Sequence, residues 1–244
     1  GHDTVRDAGS IRRMTGYMPG TFSLYQDLSV EENLNFFAAI FETSVSAAYT
    51  LIRPVYSQLE PFKNRRAGDL SGGMKQKLAL SCALVHKPEL LLLDEPTTGV
   101  DAVSRRDFWD MLHRLKEEGI TVVVSTPYMD EARRCGRIGL IQKGVLLAVD
   151  SPENVRAGYP HHLYALRSPD LYRLYRDVSH FSGSLDVQLF GRELHLADTA
   201  GNLDEKELLR FLSDKGHEGA ELGAVSPTIE DCFISLMKRE KGNG

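Results

Sequence analysis

The sequence of 244 residues lacks the features that mark several large classes of protein. Its three cysteines form no C-x-x-C pair, so they are typical of reduced cytoplasmic thiols rather than of a disulfide framework or a zinc module. No apolar run approaches the roughly 18–20 residues that cross a bilayer, and no secretory signal opens the chain. An excess of basic residues is also missing, because 29 Lys and Arg stand against 34 Asp and Glu, a net charge of −5. This balance disfavours nucleic acid as a partner.

The composition that remains, 42% hydrophobic and 26% charged, is that of a globular protein with one large or two small domains. Between residues 13 and 148, short apolar runs alternate with helical patterns. Ser29 and Glu32 form a predicted capping box at the start of a helix. The runs 90–93 and 120–124 predict strands buried on both faces, which is typical of an α/β parallel sheet with crossover helices.

The pattern changes near residue 160, where Gly158-Tyr159-Pro160 is a plausible linker. We therefore predict two domains, 1–158 and 159–244. The second has the order β-α-β-β-α-β of a split βαβ, or ferredoxin-like, α+β fold with one extra helix. Its predicted strands are 162–166, 185–189, 193–197 and 220–224, and its predicted helices are 169–177, 203–214 and 227–238.

The first chemical motif is the segment 91–96, Leu-Leu-Leu-Asp-Glu-Pro. An apolar strand that ends in Asp94 and Glu95 presents two carboxylates at the edge of the sheet where open α/β folds bind ligands. Asp94 is suited to hold Mg²⁺, and Glu95 to polarise a water for attack on a phosphoryl group. The alternative is a surface strand end with two solvated acids.

The second motif is the segment 70–74, Leu-Ser-Gly-Gly-Met. The two glycines allow a ligand to approach the backbone closely, and a helix N-terminus attracts an anion. By itself, however, Ser71-Gly72-Gly73 is more typical of a plain helix cap after a turn.

Taken together with Thr98-Gly99-Val100-Asp101, the order and spacing of these motifs resemble the nucleotide-binding subunit of ATP-binding cassette (ABC) transporters. The resemblance covers residues 1 to about 158, and the segment 225–233 resembles the C-terminal part of the ABC-2-type exporters. It implies a P-loop NTPase-like α/β cassette with a helical subdomain, followed by a small C-terminal domain.

The resemblance also implies a mechanism, in which two cassettes pair head to tail around ATP and Mg²⁺. Ser71, Gly72 and Gly73 would contact the γ-phosphate of ATP bound mainly by the partner cassette. Asp94 would support Mg²⁺, Glu95 would be the general base, and Asp101 would lie at the dimer seam. The implied partners are a second cassette, identical or different, and a transmembrane permease. The implied location is cytoplasmic, on the inner face of the membrane.

Three departures from the family pattern stand out. No G-x-x-x-x-G-K-[ST] loop occurs, and position 1 is Gly, so we expect the sequence to be a piece whose phosphate loop lies upstream. The expected glutamine of the family is Gly20, which has no side chain to reach Mg²⁺. The expected histidine is Pro127, which has neither a side-chain donor nor a backbone N–H.

Two interpretations of these departures stay open. In the first, which we favour because Asp94, Glu95 and Asp101 are retained, the cassette hydrolyses ATP. In the second it is a degenerate binding module that only lends its signature to a competent partner. Several aromatic or apolar side chains are candidates for permease docking, with Phe22 and Tyr25 the better ones; the set is Phe22, Leu24, Tyr25, Phe36, Phe37 and Phe41.

Overall fold

A computed structural model describes residues 1–181 and 185–242. The chain forms two compact units, Gly1–Tyr128 and Met129–Gly244. The first unit contains α1 (Ala8–Met14), β1 (Thr15–Met18), α2 (Val30–Ile40), α3 (Val45–Tyr56), α4 (Gly72–Leu84), β2 (Leu90–Asp94), α5 (Ala102–Glu117) and β3 (Thr121–Ser125). Within the described ranges, no helix has the length and apolar character that crossing a bilayer requires.

The sheet of the first unit is parallel, in the order β1-β2-β3, as the alternation of strands and helices predicts. Gly16 of β1 allows a helix to lie unusually close, since a Cβ there would stand 2.4 Å from the carbonyl oxygen of Ala83 in α4. Any other residue at position 16 would push the strand and the helix apart.

The predicted burial of the strands on both faces is only partly right. In β2, Leu91 and Leu93 are buried, whereas the leucines that alternate with them are half-buried. In β3 no residue is buried, and Val123 is 52% exposed. The prediction of a strand buried on both faces at 120–124 is therefore wrong beyond Ile120, which is buried, because such burial requires elements packed on both faces of the sheet.

Local helix signals are confirmed. The hydroxyl of Ser29 accepts the backbone N–H of Glu32 at 3.2 Å, and the carboxylate of Glu32 accepts the N–H of Ser29 at 2.7 Å. The apolar face of α5 is buried along its length, and consists of Phe108, Met111, Leu112 and Leu115, together with Trp109. Gly119, with φ of 89°, follows this helix in the left-handed region that favours glycine.

The second unit contains α6 (Met129–Ala132), β4 (Ile138–Gln142), β5 (Val145–Asp150), α7 (Pro152–Ala157), β6 (His162–Arg167), α8 (Leu171–Val178), β7 (Leu185–Phe190), β8 (Glu193–Asp198), α9 (Glu205–Asp214), β9 (Glu221–Ala224) and α10 (Ile229–Gly242). The predicted elements of this region match in type, order and approximate bounds. The β4–β5 hairpin turns at Lys143-Gly144, with φ of 48° and 79°. The proposed domain boundary at 158/159 stays a prediction.

A four-stranded antiparallel sheet in the order β7-β8-β6-β9 organises the second unit. Its two faces are chemically different because side chains alternate along each strand. Leu194 and Leu196 of β8 pack into a leucine-rich core with α8 and α9. His195 and Ala197, which alternate with these leucines, line a cavity together with residues of α10.

Candidate functional site

The two acids of the first motif lie where β2 ends. Asp94 is the last residue of this strand and pairs in register with Ser125, the last residue of β3. The Ser125 hydroxyl donates a hydrogen bond to Oδ1 of Asp94. The backbone N–H of Glu95 in turn donates to the carbonyl and hydroxyl oxygens of Ser125, at 3.0 and 3.2 Å. Ser125 therefore holds both acids at an exposed edge of the sheet.

Glu95 has a left-handed backbone conformation, with φ of 44°. A non-glycine residue in this region costs on the order of 1 kcal/mol or more, and such strain is concentrated at functional sites. The hydroxyl of Thr98 donates to Oε2 of Glu95 at 3.1 Å, which fixes the direction of the carboxylate. The exposed carboxylate is thus oriented before any ligand arrives.

Gly20 lies against the same two acids. A Cβ on Gly20 would stand 3.2 Å from the carbonyl oxygen of Asp94, and 3.7 Å from both Oδ2 of Asp94 and Cβ of Glu95. A longer side chain at position 20 would therefore reach the carboxylates. The structure thus places position 20, where the family resemblance predicts a glutamine, beside the two acids.

Pro127 follows β3 in an exposed loop. The hydroxyl oxygen of Thr126 accepts the backbone N–H of Tyr128 at 3.1 Å, and the Arg105 guanidinium lies 4.2 Å from the centre of the Tyr128 ring. These contacts hold the loop on either side of Pro127. Pro127 itself offers no hydrogen-bond donor.

The second motif forms the N-terminus of α4. The hydroxyl of Ser71 accepts the backbone N–H of Met74 at 3.4 Å, so the serine caps the helix as the simpler interpretation predicts. Ser71 and Gly72 are both exposed, which leaves the start of the helix accessible to an anion. A Cβ on Gly73 would lie 3.0 Å from Oγ of Ser104, so this segment packs closely against the start of α5.

Asp101 caps α5. Its Oδ1 accepts the backbone N–H groups of Val103 and Ser104 at 3.1 and 3.0 Å. The hydrogen bond from the Ser104 backbone, followed by that from its side chain, holds the pKa of Asp101 below its ordinary value of 3.8. The carboxylate is therefore ionised at neutral pH, and its visible role is to start the helix next to the second motif.

The sequence motifs assign no role to two residues of this site: Ser125, which holds Asp94, and Thr98, which holds Glu95. A hydroxyl residue at the end of the strand next to an acidic strand end is the signal that points to Ser125. Thr98 is signalled by its position three residues after Glu95 in a turn. Neither signal is specific without the sheet order.

The donor set fits Mg²⁺ that is shared with a phosphate ligand. Across residues 1–181 and 185–242, three or more His, Cys, Asp or Glu side chains nowhere converge as a metal site. Mg²⁺ usually takes one or two carboxylates and completes its shell with water and substrate phosphates. Asp94, exposed and with only Oδ1 engaged by Ser125, suits that role, and Glu95 lies next to it.

The candidate docking residues differ in exposure. Leu24 is buried, so it belongs to the core, whereas Tyr25 is 50% exposed and its ring meets that of Phe36 edge-on at 4.8 Å. Phe22 is half-buried beneath the ammonium of Lys75. The buried side chain of Asn33 holds the loop that carries Tyr25, donating to the Tyr25 carbonyl and accepting its N–H, both at 3.0 Å.

The chain is similar in sequence to transport ATPases. The profile of the family described as "ABC transporter" matches residues 1–98. The "Probable multidrug ABC transporter ATP-binding protein YbhF" of Escherichia coli is 35% identical over 250 residues, which cover 97% of this chain and 41% of that protein. The "Nod factor export ATP-binding protein I" of Burkholderia lata is 33% identical over 237 residues, which cover 96% of this chain and 75% of that protein.

The fold is similar as well. A solved structure described as "Structure of ATP binding subunit of ABC transporter" superposes with a TM-score of 0.57 at 26% identity, covering 64% of this chain and 67% of that one. The chain spans about two fifths of the length of the multidrug relative.

Proposed function

This chain belongs to the ATP-binding proteins of ABC transporters, and from that membership we propose that it binds and hydrolyses ATP to power an ABC-2-type exporter. It acts by pairing with a second cassette around ATP and Mg²⁺, and closing and opening of the pair moves a transmembrane permease. The observation that carries the proposal is the pair of oriented acids, Asp94 held by Ser125 and Glu95 held by Thr98.

In this proposal each acid has one task. Glu95 accepts a proton from the water that attacks the terminal phosphoryl group, and its fixed direction favours that transfer. Asp94 holds Mg²⁺, which when bound neutralises charge on the phosphates. A cassette that never hydrolyses ATP has no chemical need for a carboxylate at position 95, which supports hydrolysis over the degenerate alternative.

The start of α4 serves the opposite site. The exposed Ser71 and the backbone N–H groups of Gly72 and Gly73 present donors and a helix N-terminus to the γ-phosphate of ATP carried by the partner cassette. Asp101 lies at the seam between the cassettes. Gly73 packs closely on Ser104, and this packing supports the transmission of movement between the phosphate contact and α5.

A permease is the second proposed partner, and pairing with it places the chain on the inner face of the membrane. Tyr25 and Phe36 form the proposed docking contact, because they are exposed aromatic side chains in contact with each other. Exposed aromatic residues are typical anchors of protein interfaces.

The test compares two variants in the transporter assembly that contains this chain. Glu95→Gln should abolish ATP turnover at the site of this chain, measured as phosphate release, because glutamine cannot accept the proton. Gly72→Asp places an anion at the phosphate contact, and its Cβ has ordinary room, 3.6 Å from the carbonyl oxygen of Gly99. This variant should block ATP turnover at the site where the partner cassette carries the ATP. Glu117→Gln, an exposed carboxylate of α5, is the control.

The two variants separate the open interpretations. If the cassette is a degenerate binding module, Glu95→Gln leaves turnover unchanged while Gly72→Asp still lowers it, and the hydrolytic proposal fails. Loss in both variants, with normal turnover in the Glu117→Gln control, supports hydrolysis by this chain.

A further inference from the structure

A cavity of about 260 Å³ lies within the second unit, between the sheet face that carries His195 and the helix α10. Leu163, Ala197 and Ile234 supply its apolar wall. The rest of the lining is polar, and it includes two side chains that are almost fully buried, His195 and Asp231. A concave space that combines an apolar wall with convergent polar side chains is typical of a small-ligand site.

The acids that line the cavity already have partners. Asp231 accepts from the backbone N–H and hydroxyl of Thr228 at 2.8 and 2.7 Å, and it pairs with Nδ1 of His195 at 2.8 Å. Asp186 pairs with the ammonium of Lys238 and accepts from Gln188 at 2.9 Å. Neither carboxylate is therefore left to attract a cation.

Four other polar side chains of the lining carry hydrogen-bond donors. In the part of the chain that the structure describes, the Tyr159 hydroxyl, the His161 ring, the Ser235 hydroxyl and the Arg239 guanidinium line the cavity without a side-chain hydrogen bond. Burial, reinforced by the nearby charge of Asp231, raises the pKa of Tyr159 to about 12, so its hydroxyl keeps its proton. The Arg239 guanidinium offers several N–H donors in a fixed planar arrangement.

We propose that this cavity binds a small organic or inorganic anion, a carboxylate or a phosphate, through Arg239, Tyr159, His161 and Ser235. The complementarity rests on acids that are already paired beside four donors that have no hydrogen-bond partner within the described part of the protein, an arrangement that favours a negatively charged acceptor over a cation. The volume is that of about nine water molecules, so the ligand is small. The site is separate from the ATP chemistry and does not depend on the proposed function.

The experiment titrates the whole chain with inorganic phosphate and, separately, with succinate, at constant ionic strength, and follows the backbone amides by NMR. Saturable shifts at Tyr159, His161 and Ser235 are expected for at least one anion. Arg239→Gln should raise the Kd about tenfold, and Tyr159→Phe about threefold. Succinamide, which matches succinate in shape but has no charge, should bind at least tenfold more weakly than succinate.

Matched controls come from the helices on the other face of the sheet. Arg210→Gln on α9 and Tyr172→Phe on α8 change the same chemical groups at exposed positions and should leave the Kd unchanged. Saturation by phosphate alone assigns the site to phosphates, and saturation by succinate alone assigns it to carboxylates. The proposal fails if neither anion saturates these amides, if succinamide binds as well as both anions, or if Arg239→Gln and Tyr159→Phe behave like the controls.

Discussion

Gly20 lies directly beside Asp94, so close that a Cβ on the glycine would stand 3.2 Å from the aspartate carbonyl oxygen and 3.7 Å from its Oδ2. Met18, at the end of β1, and Asp94, at the end of β2, bring these positions together because the two strands run in parallel. Position 20, where the family resemblance predicts a glutamine, therefore lies within the proposed catalytic site.

Gly20→Gln should raise ATP turnover of the transporter assembly about tenfold, because the new amide adds one hydrogen-bonding group beside Asp94 and Glu95. Phosphate release at saturating ATP is the measurement. Gly20→Ala adds the Cβ without the amide and should not share the gain. Equal turnover in the two variants would contradict the prediction.

Thr98→Val should lower turnover about fivefold, because the carboxylate of Glu95 loses the 3.1 Å hydrogen bond that sets its direction. Thr98→Ser keeps the hydroxyl and should retain most of the activity. The same phosphate assay checks both variants. A Thr98→Val protein as active as Thr98→Ser would show that the hydroxyl does not position the base.

Asn33→Ala should lower the free energy of unfolding of the first unit by about 2 kcal/mol. The fully buried Asn33 amide donates to three carbonyl groups, those of Tyr25, Leu28 and Ser29, and alanine would leave them without this donor. Urea unfolding, followed by Trp109 fluorescence, is the measurement. Asn35→Ala, an exposed position of the same helix, is the control and should change stability by less than about 0.5 kcal/mol.

Tyr25→Ala should weaken binding of the permease severalfold, because exposed aromatic anchors supply much of the binding energy at interfaces. Co-purification of the permease with the wild-type and variant chains measures the effect. Tyr172→Ala removes a comparably exposed tyrosine from the second unit and serves as the reference. Undiminished binding by Tyr25→Ala would remove this residue from the docking contact.

His195→Gln should destabilise the second unit most between pH 3.8 and 6.5. Burial opposes the charge on His195, but the hydrogen bonds and charges of Asp231 and Glu193 outweigh it and raise the pKa of the imidazole. The stabilisation is therefore complete below the ordinary value of 6.5 and is lost as the pH rises through the raised pKa. Burial opposes the charge on Asp231, but the hydrogen bonds from His195 and Thr228 outweigh it and lower the pKa of this carboxyl. On the acid side the stabilisation is therefore complete above the ordinary value of 3.8 and is lost as the pH falls through the lowered pKa.

Urea unfolding at a series of pH values, followed by circular dichroism, tests this dependence. The difference in unfolding free energy between wild type and His195→Gln should shrink at both ends of the range. His162→Gln, at an exposed position of β6, is the control. A constant difference at every pH would mean that His195 stabilises the unit through packing and not through its charge. One such packing contact is the stacking of its ring on that of Phe190, with the ring centres 4.2 Å apart.

Short-range patterns determined much of the fold. The capping box of Ser29 and Glu32 works within three residues, the hairpin at Lys143-Gly144 within two, and the apolar run of β2 within one strand. Each is legible in the sequence because both partners lie in the same short segment. The exposure of β3 was not predictable in this way, since it depends on what packs against the two faces of the sheet and not on the strand's own valines.

The sequence by itself determined the family, the positions of Asp94 and Glu95 at a strand end, and the order of elements between residues 162 and 238. Only the tertiary structure decided which groups hold those acids and which groups surround the cavity. Ser125 reaches Asp94 across 31 residues, and His195 reaches Asp231 across 36. Such contacts depend on strand register and on where a helix packs, and these follow from the balance of all the packing interactions rather than from any local pattern.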